Sequence, residues 1–334
     1  METTQSHRIH TDELRAALED VLARRVKSLH RRLSNYSSSY TIENLDVELA
    51  RGQRLRLVLK DLSPASLLDT AQKIRPRFLY NPQREISTYQ KVLNRARLGT
   101  AFCHGAMNAP VLERHWLFLE RVDGLLLWQA GNLEKWDDAA RWLAMLHRKF
   151  PGARGLSRAR QLLRYDEQFF AVWLTRADEF LGLQRGHQSP AARRRFARLA
   201  SRYDRVVKRL TSLPVAFIHG EFYPSNVILR HGANGVRQVC PVDWEVAGIG
   251  PGLLDLAALT AGAWNDAEKR RFLAAYRESA PTRDSLDDLV EGVEFCQLHL
   301  AMQLLGWATD WSPPEKHAQN WLATALRLAD KLGL

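Results

Sequence analysis

Apolar positions recur along the chain in two different rhythms. From Thr11 to Leu33 they fall at helical spacing, with Leu14, Leu18, Leu22, Leu29 and Leu33 on one face, which predicts an amphipathic helix over 11–33. Thr11 suits its N-cap, and Asp12 and Glu13 suit the positive end of the helix dipole. After the serine-rich bend Ser34 to Thr41 the rhythm changes. Leu45 to Leu49 reads as a strand, Gly52-Gln53 as a turn, and Arg54-Leu55-Arg56-Leu57-Val58-Leu59-Lys60 alternates with period two. Asn81-Pro82 opens a helix over Gln83 to Asn94, because proline is tolerated at a first helical position whose N–H has no partner anyway. Trp116 to Glu120 is an apolar strand, followed by a turn at Arg121 to Gly124.

Beyond Gly131-Asn132 helical spacing dominates. A helix is predicted around Asp137 to Lys149, with His147 near its end. The block from Ala153 to Leu213 is helical and basic. Within it, Ala191 to Leu210 sets Arg193, Arg194, Arg195, Arg198, Arg202, Arg205, Lys208 and Arg209 against Phe196, Leu199, Tyr203, Val206 and Leu210. Gly248 to Gly252 reads as a loop into a helix from Leu253. Asn265 with Glu268 forms a capping box for a helix to about Ser279. Asp284 to Asp310 is a long apolar-rich helix, and Ser312-Pro313 starts the last one. No internal repeat occurs.

One stretch breaks the helical pattern. Val215 to Ile218 has the length and β-branched content of a buried strand. Then come His219-Gly220-Glu221, a bend at Phe222-Tyr223-Pro224, and Ser225-Asn226. Strands at Val227 to Leu229 and Val236 to Val242 flank Asn234-Gly235, the strongest short-range hairpin signal. The hairpin gathers Glu221 and Asn226 at one end and Asp243 and Glu245 at the other. Magnesium takes hard oxygen ligands, one or two carboxylates and an amide oxygen, with substrate phosphates completing the shell. Asn226 and Asp243 supply that set, and Glu221 stands where a carboxylate can face an incoming hydroxyl.

The pattern His219-Gly220-Glu221, four residues, Asn226, then Asp243-Trp244-Glu245 and Gly252-Leu253-Leu254-Asp255-Leu256-Ala257 resembles the aminoglycoside phosphotransferase and choline kinase family. The resemblance implies an α+β, bilobal, protein-kinase-like fold. Residues 1–122 would form a small N-lobe of mixed sheet and helix. Residues 123–334 would form a larger, mainly helical C-lobe, with the catalytic hairpin at 215–245 and acceptor-binding helices in 131–214 and 253–334. It implies ATP, with GTP as an alternative, as phosphoryl donor, Mg²⁺ as the metal, and a small-molecule hydroxyl as acceptor: an aminoglycoside-like antibiotic, a sugar or an amino alcohol.

Carried over by position, Lys60 would hold the α- and β-phosphates and Glu85 would pair with it. Ser37, Ser38 and Ser39 would offer hydroxyls and N–H groups to phosphate. Glu120 to Val122 would be the hinge whose backbone faces the adenine. Glu221, Asn226 and Asp243 would be catalytic, the last two through the metal, with His219 bracing the loop and His147 a packed histidine. The family has Asp where this chain has Glu221, one methylene longer. Either the acceptor hydroxyl is set back to match, or Glu221 is no base and the chain is a non-catalytic nucleotide-binding protein.

Composition narrows this further. Hydrophobic residues make up 46% and charged residues 25%, ordinary for a globular chain. No run of eighteen apolar residues occurs, so no membrane span is expected, and METTQSHRIH lacks the pattern of a signal peptide. Cys103, Cys240 and Cys296 are scattered and odd in number, which fits free thiols in a reducing cytoplasm. The net charge of +11 is uneven: residues 151–214 hold fourteen Lys and Arg against five Asp and Glu, and residues 247–334 hold eight against twelve. The Arg-rich helix reads as a solvated face, and nucleic acid is not an expected partner. Its charge opposes a polycationic acceptor.

Overall fold

The computed structural model describes residues 9–34, 39–68, 71–72, 75–152, 154–156, 159–183, 188–232, 237–280, 284–307 and 320–334. The first helix, α1 (Thr11–Leu22), is shorter than its apolar rhythm predicts. It stops at Ala23, which takes a left-handed conformation (φ 50°, ψ 38°), and Val26–Leu33 forms strand β1. Strand pairing overrides the helical spacing here. β1 lies antiparallel along β2 (Ile42–Leu49), with Leu33 opposite Glu43, and Leu33 ends 71% exposed. No Gly or Pro between Leu22 and Leu33 marks the break.

β3 (Arg54–Asp61), β4 (Cys103–Ala109) and β5 (Arg114–Glu120) complete an antiparallel sheet of order β1-β2-β3-β5-β4. The alternation in β3 turns Leu57 and Leu59 to one face. There, with Leu45, Val47, Trp116 and Phe118, they bury Leu14 and Leu18 of α1. The same period of two sends Lys60 to the opposite face, where helix α2 lies. α2 begins at Pro82–Ser87, capped by the Asn81 side chain, which accepts from Gln83 N–H. It then widens into π-helical turns over Thr88–Leu93 and ends at Asn94–Ala96.

The C-terminal lobe is mainly helical: α3 (Leu133–Lys149), α4 (Glu167–Leu183), α5 (Pro190–Ser201), α6 (Tyr203–Ser212), α7 (Leu253–Leu259), α8 (Asp266–Ser279), α9 (Leu286–Leu305) and α10 (Trp321–Lys331). The predicted helix over 191–210 is two helices, parted at Arg202 (φ −116°, ψ 5°). Phe196, Leu199, Tyr203, Val206 and Leu210 are buried and Arg193, Arg194, Arg198 and Arg202 exposed, so the arginines form a solvated face. Reciprocal caps close α8 (Asn265 with Glu268) and α9 (Ser285 with Asp288). The expected start at Ser312-Pro313 lies outside the described residues; α10 begins at Trp321, capped by Asn320.

Two small sheets stand at the cleft. β6 (Gly124–Leu126) and β10 (Arg237–Pro241) flank β9 (Val227–His231), and β7 (Leu163–Arg164) and β8 (Val215–Ile218) flank β11 (Gly248–Pro251). Gly248 to Gly252 was expected as a loop; Gly248–Pro251 is instead a strand, antiparallel to β8 and parallel to β7, and Gly252 is the N-cap of α7. Its glycines serve close packing: a Cβ at Gly248 or Gly250 would come within 2.5 Å of the Tyr165 side chain. One core runs from Tyr89 and Leu117 through Trp142, Phe222 and Trp244 to α7 and α9. Cys103, Cys240 and Cys296 are free and buried in it. Among the described residues no helix is long and apolar enough to cross a membrane.

Candidate active site

The turn after β8 is built on a buried carboxylate. Asp255, the third residue of α7, is wholly buried and accepts the N–H groups of His219 and Gly220 at 2.8 Å each. Gly220 has φ 87°, and a Cβ there would strike the Tyr165 hydroxyl and the Val246 carbonyl, so the turn requires glycine. His219 is wholly buried, with Nε2 2.9 Å from the Val242 carbonyl and Nδ1 3.3 Å from the Glu221 N–H. A carbonyl only accepts and an amide N–H only donates, so this pattern assigns the neutral Nε2–H tautomer. Burial also lowers the His219 pKa. This imidazole braces the loop.

The same turn fixes the next residues. The Glu221 carbonyl accepts from Asn226 Nδ2 at 3.0 Å and from Tyr223 N–H at 2.7 Å. Val242 N–H donates to the Asn226 carbonyl at 2.9 Å, which sets Asn226 beside Asp243 across the hairpin. Asp243 has φ 66°, uncommon for a residue with a side chain and costing of order 1–3 kcal/mol.

Lys60 Nζ lies 2.5 Å from Asp243 Oδ1 and 2.7 Å from Glu85 Oε2. Burial works against the lysine charge, but Asp243 and Glu85 outweigh it and hold its pKa well above the usual value. Burial likewise pushes the Asp243 carboxyl upward, and Lys60 more than offsets it, so its pKa is lowered. Glu85 is 1% exposed, and burial raises its pKa to about 7. Its other oxygen accepts from Trp244 N–H at 3.1 Å, tying α2 to the segment after β10. Glu245 pairs with Arg75 at 2.7 Å. Glu221 is half-buried, and burial, with the Asp243 and Glu245 charges, raises its pKa to about 8.

One oxygen from each of Glu85, Asp243 and Glu245 falls within 4.8 Å of the others. Glu85 and Glu245 are taken up by Lys60 and Arg75, and Asp243 is the most exposed of the three (23%, against 1% and 9%), so it is the carboxylate a small divalent cation would reach.

Residues 38–289, about three quarters of the chain, match the sequence profile of the phosphotransferase enzyme family. The chain belongs to that family. No curated protein matches it in sequence. Among solved structures it is similar to a GDP complex of an aminoglycoside 2'-phosphotransferase IIIa mutant, at 11% identity and TM-score 0.60, covering 97% of each chain. It is similar also to a choline kinase from Cryptosporidium parvum, at 11% identity and TM-score 0.60, covering 91% of this chain and 90% of that one. A microcompartment-associated aminopropanol kinase matches at 15% identity and TM-score 0.56, covering 91% and 92%. At such identities the likeness is one of fold, and the fold is the bilobal, protein-kinase-like one.

In this phosphotransferase the other expected site residues fall as follows. Glu120 ends β5, where its carboxylate accepts from Arg230 (2.8 and 3.1 Å) and from Phe102 N–H (3.0 Å). Its side chain is thus engaged in structure. Glu120 N–H donates to the Phe102 carbonyl at 2.8 Å and Arg121 N–H to the Arg56 carbonyl at 2.9 Å, so both amides are spent within the sheet. Ser39 accepts from Leu68 N–H through its carbonyl, whereas Ser37 and Ser38 lie outside the described residues. Sequence reasoning passed over Arg75, Arg84 and Tyr165. Arg84 is 3% exposed and donates to three carbonyls, those of Leu79, Gln161 and Glu245. Nothing in their local sequence pattern distinguishes these from surface residues.

Proposed function

We propose that this phosphotransferase moves the γ-phosphoryl group of ATP, or of GTP, to a hydroxyl of a small molecule. The observation that carries this reading is the Lys60 ammonium clasped by Glu85 and Asp243 in the same cleft as Glu221. Lys60 neutralises donor phosphates, and Glu85 fixes its position. The backbone of Val122 faces the base of the nucleotide. Glu221 orients the acceptor hydroxyl and takes its proton as the oxygen bonds to the γ-phosphorus. The bond from that phosphorus to the bridging oxygen breaks, and the nucleoside diphosphate leaves with the electron pair. A carboxylate with pKa near 8 is matched to this task, since a general base works best near the operating pH.

Asp243 and Asn226 are the residues that would hold Mg²⁺: Asn226 Nδ2 is spent on the Glu221 carbonyl, which leaves its oxygen as the ligand atom. When bound, Mg²⁺ supplies charge neutralisation for the phosphates. Three free, buried thiols suit a reducing cytoplasm.

The solved relatives include proteins named for aminoglycosides, choline and aminopropanol. For this chain the basic surface of α5 and α6 favours an acceptor with less positive charge than a polyamino sugar. The longer Glu221 favours one competing reading, a nucleotide-binding protein without turnover. The deciving experiment is the thermal midpoint with Mg·ATP and Mg·GTP, for the wild type and Asp243→Ala. A ligand at about a hundred times its dissociation constant stabilises by about 2.7 kcal/mol. A magnesium-dependent shift that Asp243→Ala abolishes, followed by turnover on a hydroxyl panel, supports the kinase. No shift with either nucleotide refutes it, and a shift without turnover on any acceptor favours the competing reading.

A further inference from the structure

The two carboxylates of Asp243-Trp244-Glu245 each hold a cation from the N-terminal side of the chain. Asp243 holds Lys60, and Glu245 holds Arg75 at 2.7 Å. Both cations converge on one ring: Lys60 Nζ lies 5.9 Å and the Arg75 guanidinium carbon 5.5 Å from the centroid of Tyr40. Tyr40 lies two residues before β2 and bridges to Leu67. Arg75 also donates to the Tyr40 hydroxyl at 3.4 Å.

Arg75 is only 7% exposed, yet its Nε–H is buried without a hydrogen-bond partner among the described residues. A buried donor left unsatisfied costs about 1–3 kcal/mol, more for a charged group. Such an atom points to an acceptor that arrives with a ligand. A guanidinium is the side chain best shaped for that acceptor, because its planar fork matches phosphate oxygens in pairs. The position is also beside the hairpin carboxylates: Arg75 is held by Glu245, two residues after Asp243.

We propose that Arg75 binds the terminal phosphoryl group of the nucleoside triphosphate, completing a two-cation cradle whose other member is Lys60. The proposal rests on the kinase reading and adds to it the residue that tells a triphosphate from a diphosphate. Glu245 holds Arg75 in place for the incoming phosphate.

The test compares Mg·ATP with Mg·ADP on the wild type, Arg75→Ala and Arg75→Lys, by thermal-shift titration and by the KM for ATP in turnover. Arg75→Ala should weaken ATP about ten- to hundredfold and leave ADP within about threefold, since one bidentate charged contact is lost. Arg75→Lys keeps the charge against Glu245 but loses the fork, so it should fall between. If Arg75→Ala does not fold, Arg75→Lys carries the same comparison. An equal loss for ATP and ADP would show that Arg75 only braces the lobes and would overturn the proposal with the kinase reading intact. Unchanged ATP binding would overturn it as well. Absence of any nucleotide shift in the wild type would refute the kinase reading itself, and the proposal with it.

Discussion

Replacing Asp255 by Ala tests whether the catalytic turn is held as described. Its carboxylate accepts two N–H groups, from His219 and Gly220, at 2.8 Å each in a site with no solvent exposure. A hydrogen bond to a charged group contributes about 1.5–3 kcal/mol, so two are worth roughly 3–6 kcal/mol. Alanine no longer buries a charge, which offsets part of this, and the net loss should be about 3–4 kcal/mol. Against a total stability on the order of 5–15 kcal/mol that is a large fraction. The assay is urea unfolding followed by tryptophan fluorescence, with Trp142 and Trp244 buried near the turn. The midpoint should fall with little change in slope. Asp255→Asn keeps one acceptor oxygen and should lose about half as much. Turnover should drop about a hundredfold in Asp255→Ala as Glu221 is displaced by an ångström or so, while nucleotide-induced stabilisation persists. A midpoint change worth under about 1 kcal/mol would show that the two N–H groups find other partners, and the account of the turn would be wrong.

Two further outcomes follow from neighbouring geometry. Gly220→Ala adds a Cβ at φ 87° against the Tyr165 hydroxyl and should cost about 2–4 kcal/mol. Adding Tyr165→Phe should recover about 1 kcal/mol through coupling of the pair, and no recovery in the urea midpoint would put the strain elsewhere. Burial raises the Glu85 pKa from 4.5 to about 7, so its share of stability is intact below 4.5 and is lost as pH rises through about 7. Chelator-treated protein should therefore lose stability between about pH 4.5 and 7 and level off above that, and Lys60→Met should lose more; a flat profile in both would contradict the buried placement of Glu85.

Much of the site was legible because its chemistry is packed into one short stretch. His219 to Asp255 carries the turn, the hairpin and the Asp-x-Glu segment, and Asn234-Gly235 announces the hairpin. Lys60 and Glu85 were legible only through the family resemblance, which picked out the end of an alternating strand and the first turn after Asn81-Pro82. Lys60 lies 2.5 Å from Asp243 and 2.7 Å from Glu85. What the pattern hid depends on partners distant in sequence. The helical spacing of Leu29 and Leu33 gave way to pairing with β2. Gly248 and Gly250 form a strand because Tyr165, far back along the chain, packs on them. Arg75 has no local pattern at all; its meaning comes from Glu245, which folding brings to it.

The longer acid at position 221 is the sharpest question the site poses. The backbone leaves Glu221 no room to retreat: its N–H is on His219, its carbonyl holds Asn226 and Tyr223, and Gly220 is pinned to Asp255. On the proposed reading, the extra methylene carries the carboxylate further toward the acceptor. If the acceptor is seated to match, Glu221→Asp opens a gap of roughly an ångström and should lower kcat about ten- to hundredfold, with KM for nucleotide nearly unchanged. The pH profile of kcat/KM should rise through about 8 in the wild type, and Glu221→Gln should flatten it. Equal turnover in Glu221→Asp and wild type would mean that the carboxylate's reach is irrelevant. Equal turnover in Glu221→Gln would remove it from proton transfer altogether, leaving Lys60, Asn226 and Asp243 to act by charge and position alone.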